Sequence, residues 1–270
     1  MSEFRELLGD LVCRVFRGHT YTGAADMIRA RAAETDGPFV LSFVNAHAIN
    51  LCYSEPGFLR ALHASDVVLR DGIGMTLLYR LLRMEPGINY CGTDFIPYLL
   101  REGGARKIAL LGTKDPYLGK AAECLRKDGH EVVLAMDGFR HPQEYVRALE
   151  ETEPELVLLG MGMPKQELVS VIIRSRLRRR MLVINGGAFI DYLGEKVSRA
   201  PLWMRRRGLE WVYRLVLEPR RMYRRYLLGN ISFIARALSL RGDVPLHSLP
   251  EPETEQYENC SYSVGRRPLD

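Results

Sequence analysis

The chain has 270 residues, of which 47% are hydrophobic and 26% charged; that is enough to bury a substantial core, as one large domain or one domain with an appendage. Its net charge of +5 comes mostly from residues 174–241, since the charges of residues 1–150 nearly balance, and local basicity describes a site rather than a whole surface. Cys13, Cys52, Cys91, Cys124 and Cys260 are widely spaced and form no CxxC pair, which argues against a disulfide framework and a zinc site and fits a reducing cytosol.

The N-terminal stretch MSEFRELLGDLVCRVF mixes acids with apolar residues, so it reads neither as a signal peptide nor as a membrane span. No other stretch reaches about 18 apolar residues without charge, and any membrane contact is expected to be peripheral. Apolar runs PFVLSFVN and DVVLRDG predict strands, with a helix over 56–64 between them. From Lys107 the runs KIALLG, EVVLAMDG, ELVLLGMG and RMLVINGG recur roughly every 25 residues with helix-like segments between them, the rhythm of β-α units. The predicted fold class is α/β, a Rossmann-like, mostly parallel sheet flanked by helices over 1–195, followed by an arginine-rich helical appendage over 196–240. Pro201 and Pro219 stand where helices can begin, and helices are expected over 202–217 and 219–239. Residues 241–270 contain four prolines and almost no periodic apolar pattern, the composition of a disordered tail.

The segment 199–241 carries eleven arginines and no lysine, interleaved with Trp203, Trp211, Tyr213, Tyr223 and Tyr226. Arginine binds phosphate through a planar bidentate fork, and Trp and Tyr favour membrane interfaces, so the combination points to a phosphate-bearing partner at an apolar boundary. An amphipathic helix with a solvated charged face is the plainer alternative.

In parallel α/β sheets ligands bind beyond the carboxyl ends of the strands. Those ends are polar and glycine-rich here: Asn45 and His47 after the first run, Asp71 and Gly72 after the second, Gly112 after the third, then Gly162, Lys165, Gln166 and Glu167, and finally Gly187. GMGMPK approaches the dinucleotide fingerprint, but Lys165 holds its third glycine position. Backbone N–H groups at that helix start can still cradle a phosphate, with Lys165 or Gln166 adding donors. GTKDPYLGK fails as a P-loop because six residues separate its glycines. Asp71 is the best candidate for a general base, its alternative being an Asp-Gly turn residue bonding its own backbone; Asp94, in GTDFIP, reads equally as a helix N-cap. No DxD triplet and no metal-ligand spacing occurs, so neither a metal nor a cofactor is expected, and the charge of a diphosphate leaving group would fall to arginine, lysine and helix N-termini.

The ordered set FVNAHAINL, ASDVVLRDGIGM, CGTDFIPYLL, LGMGMPKQE, NGGAFIDYLGEKVSRAPLWMRRRGLEWVYRL and EPRRMYRRY resembles the WecG/TagA/CpsF family of bacterial glycosyltransferases, glycosyltransferase family 26, over roughly residues 40–235. The resemblance implies an inverting, metal-independent transferase that moves a sugar from a UDP-sugar onto a polyprenyl-diphosphate-linked sugar, peripheral on the cytoplasmic membrane face, in surface-polysaccharide biosynthesis. On it, Asp71 matches the family's catalytic base. Asn45, Gly92, Asp94, Gln166, Glu167, Gly187 and Asp191 match the UDP-sugar pocket, to which the glycine-rich strand ends add Gly72, Gly112, Gly162 and Lys165. Arg214, Arg221 and Arg224 match arginines that bind the acceptor diphosphate. Two positions depart from the pattern: Phe43 stands where many members have threonine, and Asn89 where many have arginine. Both remove polar contacts near the pocket, so the donor need not be an N-acetylmannosamine-type sugar. A nucleotide-binding oxidoreductase would need the full glycine fingerprint, which is missing. A non-catalytic basic module explains the arginines but leaves the polar strand ends idle. Nucleic acid is set aside for want of a familiar binding motif, and a homo-oligomer is compatible with the sequence.

Overall fold

The computed structural model describes residues 2–240. Six apolar runs form the strands β1 (Pro38–Val44), β2 (Val67–Arg70), β3 (Lys107–Gly112), β4 (Glu131–Asp137), β5 (Leu156–Leu159) and β6 (Met181–Asn185). They make one sheet in the order β2-β1-β6-β5-β3-β4, and every pairing is parallel, so the expected α/β class holds, with no antiparallel strand among the described residues. All seven residues of β1 are buried, as expected of a parallel strand covered on both faces. Only β4, on the edge, is largely half-exposed.

Alternation along the strands divides the core. Phe39, Leu41 and Phe43 of β1, with Leu110, Leu158 and Ile184, face helices α2 (Tyr21–Glu34), α6 (Gly92–Glu102), α7 (Tyr117–Lys127) and α10 (Phe189–Leu193). Val40, Ala109, Leu111, Val157 and Val183 face α8 (Pro142–Thr152) and α9 (Lys165–Arg176) on the other side. A third cluster joins Val44 and Val68 to α1 (Ser2–Arg14), α3 (Ala46–Ser54), α4 (Pro56–His63) and α5 (Ile73–Leu81). The helix expected at 56–64 is α4, with Pro56 in its first turn.

The C-terminal segment departs from its expected outline. A single helix over 202–217 is instead two, α11 (Leu202–Arg206) and α12 (Glu210–Leu217), because Gly208 adopts φ +68° and turns the chain between them. The second expected helix is continuous, as α13 (Pro219–Tyr223), a π-helical turn (Arg224–Leu228) and α14 (Gly229–Leu240). Phe233, Ala237 and Leu240 of α14 are buried in the third cluster beside Met75 and Leu78 of α5. The tail over 241–270 lies outside the described residues.

Candidate functional site

The carboxyl ends of β1, β2, β3, β5 and β6 open into one cleft of about 850 Å³, which the C-terminal segment closes on one side. Asn45, the first residue after β1, caps α3 by accepting the Ala48 N–H at 3.0 Å, and its side chain also bonds Asp71. Asp71 follows β2 directly, its N–H bonded to the Val44 carbonyl at 2.8 Å. The loop behind it is held by buried Arg70, whose Nη1 reaches the Gly72 carbonyl at 3.2 Å and Thr76 Oγ1 at 2.5 Å while Nη2 reaches the Gly87 carbonyl at 3.1 Å. Asn89 Oδ1 accepts the Gly72 N–H at 2.7 Å. Asp71 therefore has a fixed direction rather than a free turn geometry.

Burial pushes the Asp71 carboxyl up from 3.8 to about 6; Arg214, the Asn45 hydrogen bond and Arg225 pull it down, and Glu210 pushes it further up. An acid titrating near 6 is an anion at neutral pH while remaining a serviceable proton acceptor. Glu210, which lies in the GLEW stretch but to which the sequence assigns no role, is the hub beside it. Its Oε1 accepts from the Tyr192 hydroxyl at 3.1 Å and from Arg214 Nη2 at 2.9 Å, and the Cys91 thiol lies 4.0 Å from Oε2. The Arg214 guanidinium also stacks over the Tyr192 ring at 5.3 Å. Burial opposes its charge, but Tyr192, Tyr226 and Glu210 outweigh that and raise its pKa. Burial first, then Asp71 and Glu210, push the Cys91 thiol up to about 12, which leaves it protonated and unreactive.

Further along, Gly92, Gly112, Gly162, Gln166, Gly187 and Asp191 all line the cleft. A Cβ on Gly112 would stand 2.9 Å from Ile190 Cδ1 and 3.0 Å from the Gly160 carbonyl, so glycine is what lets the β3 and β5 ends approach each other. Asp191 is paired with Lys196, whose Nζ lies 2.9 Å from Asp191 Oδ1 and 3.0 Å from Thr113 Oγ1. Gln166 Oε1 accepts the Gly187 N–H at 3.1 Å, fastening the start of α9 to the end of β6. His47 also lines the wall; burial and then Arg225 lower its pKa to about 4, so it is neutral.

Four expected pocket residues stand behind the wall instead of on it. Gly72 is the N-cap of α5 with φ +85°. Lys165 points away, its Nζ donating to the Gly138 carbonyl at 2.7 Å. Glu167 is fully buried; its Oε1 accepts from Gln166 Nε2 at 2.9 Å, its Oε2 has no partner, and burial raises it to about 7. Asp94 is not the cap of α6, a position held by Cys91. Its Oδ1 accepts from Arg199 at 2.8 Å and Arg205 at 3.0 Å, fastening the C-terminal segment to α6.

Arg214 and Arg224 line the cleft, with Arg225 and Arg236, which sequence reasoning did not single out. Arg236 is oriented by Asn50 Oδ1 at 2.7 Å and by the Tyr53 ring at 4.4 Å. Arg221 belongs to α13, and its side chain lies outside what the structure describes. Phe43 is a cleft wall residue, whereas Asn89 supports the Asp71 loop. Among the described residues no three His, Cys, Asp or Glu side chains gather as a metal site, and no helix is long and apolar enough to cross a membrane.

A cleft with a buried carboxylate whose pKa is raised, a lysine paired with a second carboxylate and several oriented arginines suits group transfer from a phosphate leaving group. Residues 11–243 match the family described as Glycosyl transferase WecG/TagA/CpsF family. The N-acetylglucosaminyldiphosphoundecaprenol N-acetyl-beta-D-mannosaminyltransferase of Bacillus subtilis (strain 168) is 28% identical over 190 residues, covering 68% of this chain and 74% of the relative. The protein of that name from Staphylococcus aureus (strain MRSA252) is 22% identical over 200 residues, covering 70% and 76%. The extent of the family match and the order of the cleft residues agree: this chain is a glycosyltransferase and belongs to the WecG/TagA/CpsF family.

Proposed function

We propose that the protein moves a hexose or N-acetylhexosamine from a UDP-sugar to a polyprenyl-diphosphate-linked sugar, with inversion and without a metal ion, in bacterial surface-polysaccharide biosynthesis. The observation that carries this reading is Asp71, a carboxyl raised to about 6 at the end of β2, with arginines from the C-terminal segment beside it. Asp71 takes the proton of the acceptor hydroxyl as that oxygen attacks the anomeric carbon from the face opposite the leaving group. The bond from that carbon to the β-phosphate oxygen breaks, its electron pair leaves with UDP, and the charge that develops meets Lys196 and the arginines. The relatives' printed names supply the acceptor class, an undecaprenol diphosphate bearing N-acetylglucosamine.

Asn45, Gly92, Gly112, Gly162, Gln166, Gly187 and Asp191 would contact the donor, while Gly72, Asp94, Lys165 and Glu167 support the wall from behind. Arg214 and Arg224, with Arg221, would grip the acceptor diphosphate. Exposed Val216, Leu217, Leu227, Ile231, Ile234 and Leu238 alternate with these arginines on the C-terminal segment, a surface suited to resting on the cytoplasmic face of a membrane with anionic headgroups. In this reading residues 196–240 form the acceptor and membrane module, and 1–195 the donor module.

The experiment incubates the protein with a panel of UDP-sugars and short-chain polyprenyl-diphosphate sugars, reading UDP release and product mass. Asp71→Asn is expected to abolish transfer while UDP affinity stays within a few-fold. Full activity in that variant would remove Asp71 as the base, and absence of product from every pair would remove the transferase reading itself.

A further inference from the structure

Behind the cleft wall lies a buried carboxyl that the proposed reaction does not use. Glu167, in the first turn of α9, has no exposed surface. Its Oε1 accepts from Gln166 Nε2 at 2.9 Å, and its Oε2 has no hydrogen-bond partner among the described residues. The groups around it are neutral. Burial, with a smaller push from Glu167, raises the Cys52 thiol of α3 to about 12. β1 and β6, which pack on α9, contain no ionisable side chain. No charged side chain of α4 or α8 acts on Glu167, and on its own helix Lys165 is turned to the Gly138 carbonyl. A carboxylate buried against one neutral amide, with no cation to offset it, is costly enough that such a group keeps its proton instead. Burial accordingly raises Glu167 from 4.5 to about 7, against the lowering pull of the Gln166 bond and of its own backbone.

Gln166 carries the effect into the cleft, which it lines. Its amide spans two elements, Nε2 donating to Glu167 and Oε1 accepting the Gly187 N–H at 3.1 Å. Because Gly187 offers a donor and Glu167 an acceptor, only one of the two amide orientations satisfies both. A proton on the unpartnered Oε2 leaves Oε1 as the carbonyl oxygen that Gln166 needs. Gly187, at φ +57°, opens the turn into α10, whose Asp191 holds Lys196 in the cleft at 2.9 Å. Deeper in, the chain of polar contacts stays neutral: Ser170 Oγ donates to the Glu167 carbonyl at 2.8 Å, and Asn185 Nδ2 donates to Ser170 Oγ at 3.3 Å and to Ser42 Oγ at 2.8 Å. An ionised Glu167 needs hydration that these closed surroundings deny, so ionisation loosens the start of α9 and the amide packed there. We propose that Glu167 works as a neutral acid and is a positioning residue: protonated, it fixes the Gln166 amide and through it the Gly187 turn for donor binding, and ionised, it releases both. This role deepens the donor reading given above and rests on it.

UDP binding is measured calorimetrically on the full chain from pH 6 to pH 8.5, with donor KM in transfer assays and thermal midpoints at pH 4 and pH 8, for the parent protein, Glu167→Gln and Glu167→Ala. In the parent, UDP affinity should fall and donor KM rise severalfold as pH passes through about 7, while kcat follows Asp71. Glu167→Gln keeps an acceptor for Gln166 and cannot ionise, so this alkaline loss should disappear. Glu167→Ala removes the acceptor and should weaken UDP by about fivefold at every pH, the scale of one lost buried hydrogen bond. The thermal midpoint is a readout that needs no substrate. A native carboxyl raised from 4.5 to about 7 binds more protons than the unfolded chain between those values, so stability falls as pH rises through that window. Glu167→Gln should therefore gain a midpoint advantage over the parent at pH 8 that it lacks at pH 4. An advantage no larger at pH 8 than at pH 4 would overturn the neutral acid, and an alkaline loss of UDP affinity that persists in Glu167→Gln would overturn the positioning role. Failure of the parent to bind UDP at any pH would overturn the donor reading and the positioning role together.

Discussion

Asp71 and Glu210 stand on opposite sides of the question of what a single residue discloses. Asp71 is legible because it follows an apolar run and precedes two nearby glycines, Gly72 and Gly74, a local signal for a strand end with open space beyond it. Glu210 is one acid in an arginine-rich segment; its pair with Arg214 is a local i,i+4 contact, but those with Tyr192 and Cys91 are made across the fold, so no local pattern announces the hub. In its proposed role Asp71 must be ionised to accept a proton, so transfer should rise with pH through about 6. Glu210→Gln removes a neighbouring negative charge that pushes Asp71 up, so this acid limb should move to lower pH, while Glu210→Asp should largely restore it; an unmoved limb would show that Glu210 does not set the titration. The same group has a cost in stability. A native carboxyl titrating near 6 binds more protons than its unfolded counterpart between about pH 4 and 6, so stability falls as pH rises through that window and stays lower above it. Asp71→Asn should therefore melt at least a few degrees higher than the parent at pH 8 and show no such advantage at pH 4, as differential scanning calorimetry would read.

At the scale of elements, the strands were legible and one helix was not. The continuous apolar runs KIALLG, ELVLLGMG and RMLVINGG became β3, β5 and β6 because a strand buried on both faces has no polar positions to interrupt it. The order β2-β1-β6-β5-β3-β4 is a set of long-range pairings that no local pattern encodes. In 202–217 the proline at its start suggested one helix, and Gly208 in the left-handed region broke it; a lone glycine inside a helical segment is tolerated often enough not to end it by itself. The break aims α12, and with it Glu210 and Arg214, at Asp71. Gly208→Ala would place its Cβ 3.2 Å from the Ile73 side chain in a strained backbone conformation, costing about 1 kcal/mol or more. Activity is expected to fall at least severalfold while the melting midpoint moves by only a few degrees; unchanged activity would show that the turn does not orient α12.

Over the whole molecule, the C-terminal segment is held by polar and apolar means together. Asp94 grips Arg199 and Arg205 at one end, and Phe233, Ala237 and Leu240 enter the core at the other. Phe233 is 2% exposed, and Phe233→Ala should cost about 3–5 kcal/mol, visible in chemical denaturation as a large fall in midpoint for the whole chain. Loss of only a minor local transition would show that the segment unfolds independently. The arginine content of this segment was plain in the sequence, but which arginines face the cleft depends on partners such as Asn50, Tyr53 and Tyr192, contributed by elements distant along the chain.

The cleft crosses nearly the full width of the sheet, from the turn bearing Phe139 to the loop bearing Asp71. Under the proposed function, a water-borne donor and a lipid-borne acceptor can occupy different parts of so long a cleft and need not compete for one position. Both substrates can therefore reside in the enzyme at once, and no covalent sugar-enzyme species is required to bridge their visits. Initial-rate measurements at varied donor and acceptor should yield intersecting double-reciprocal lines, the signature of a ternary complex, and parallel lines would contradict simultaneous occupancy.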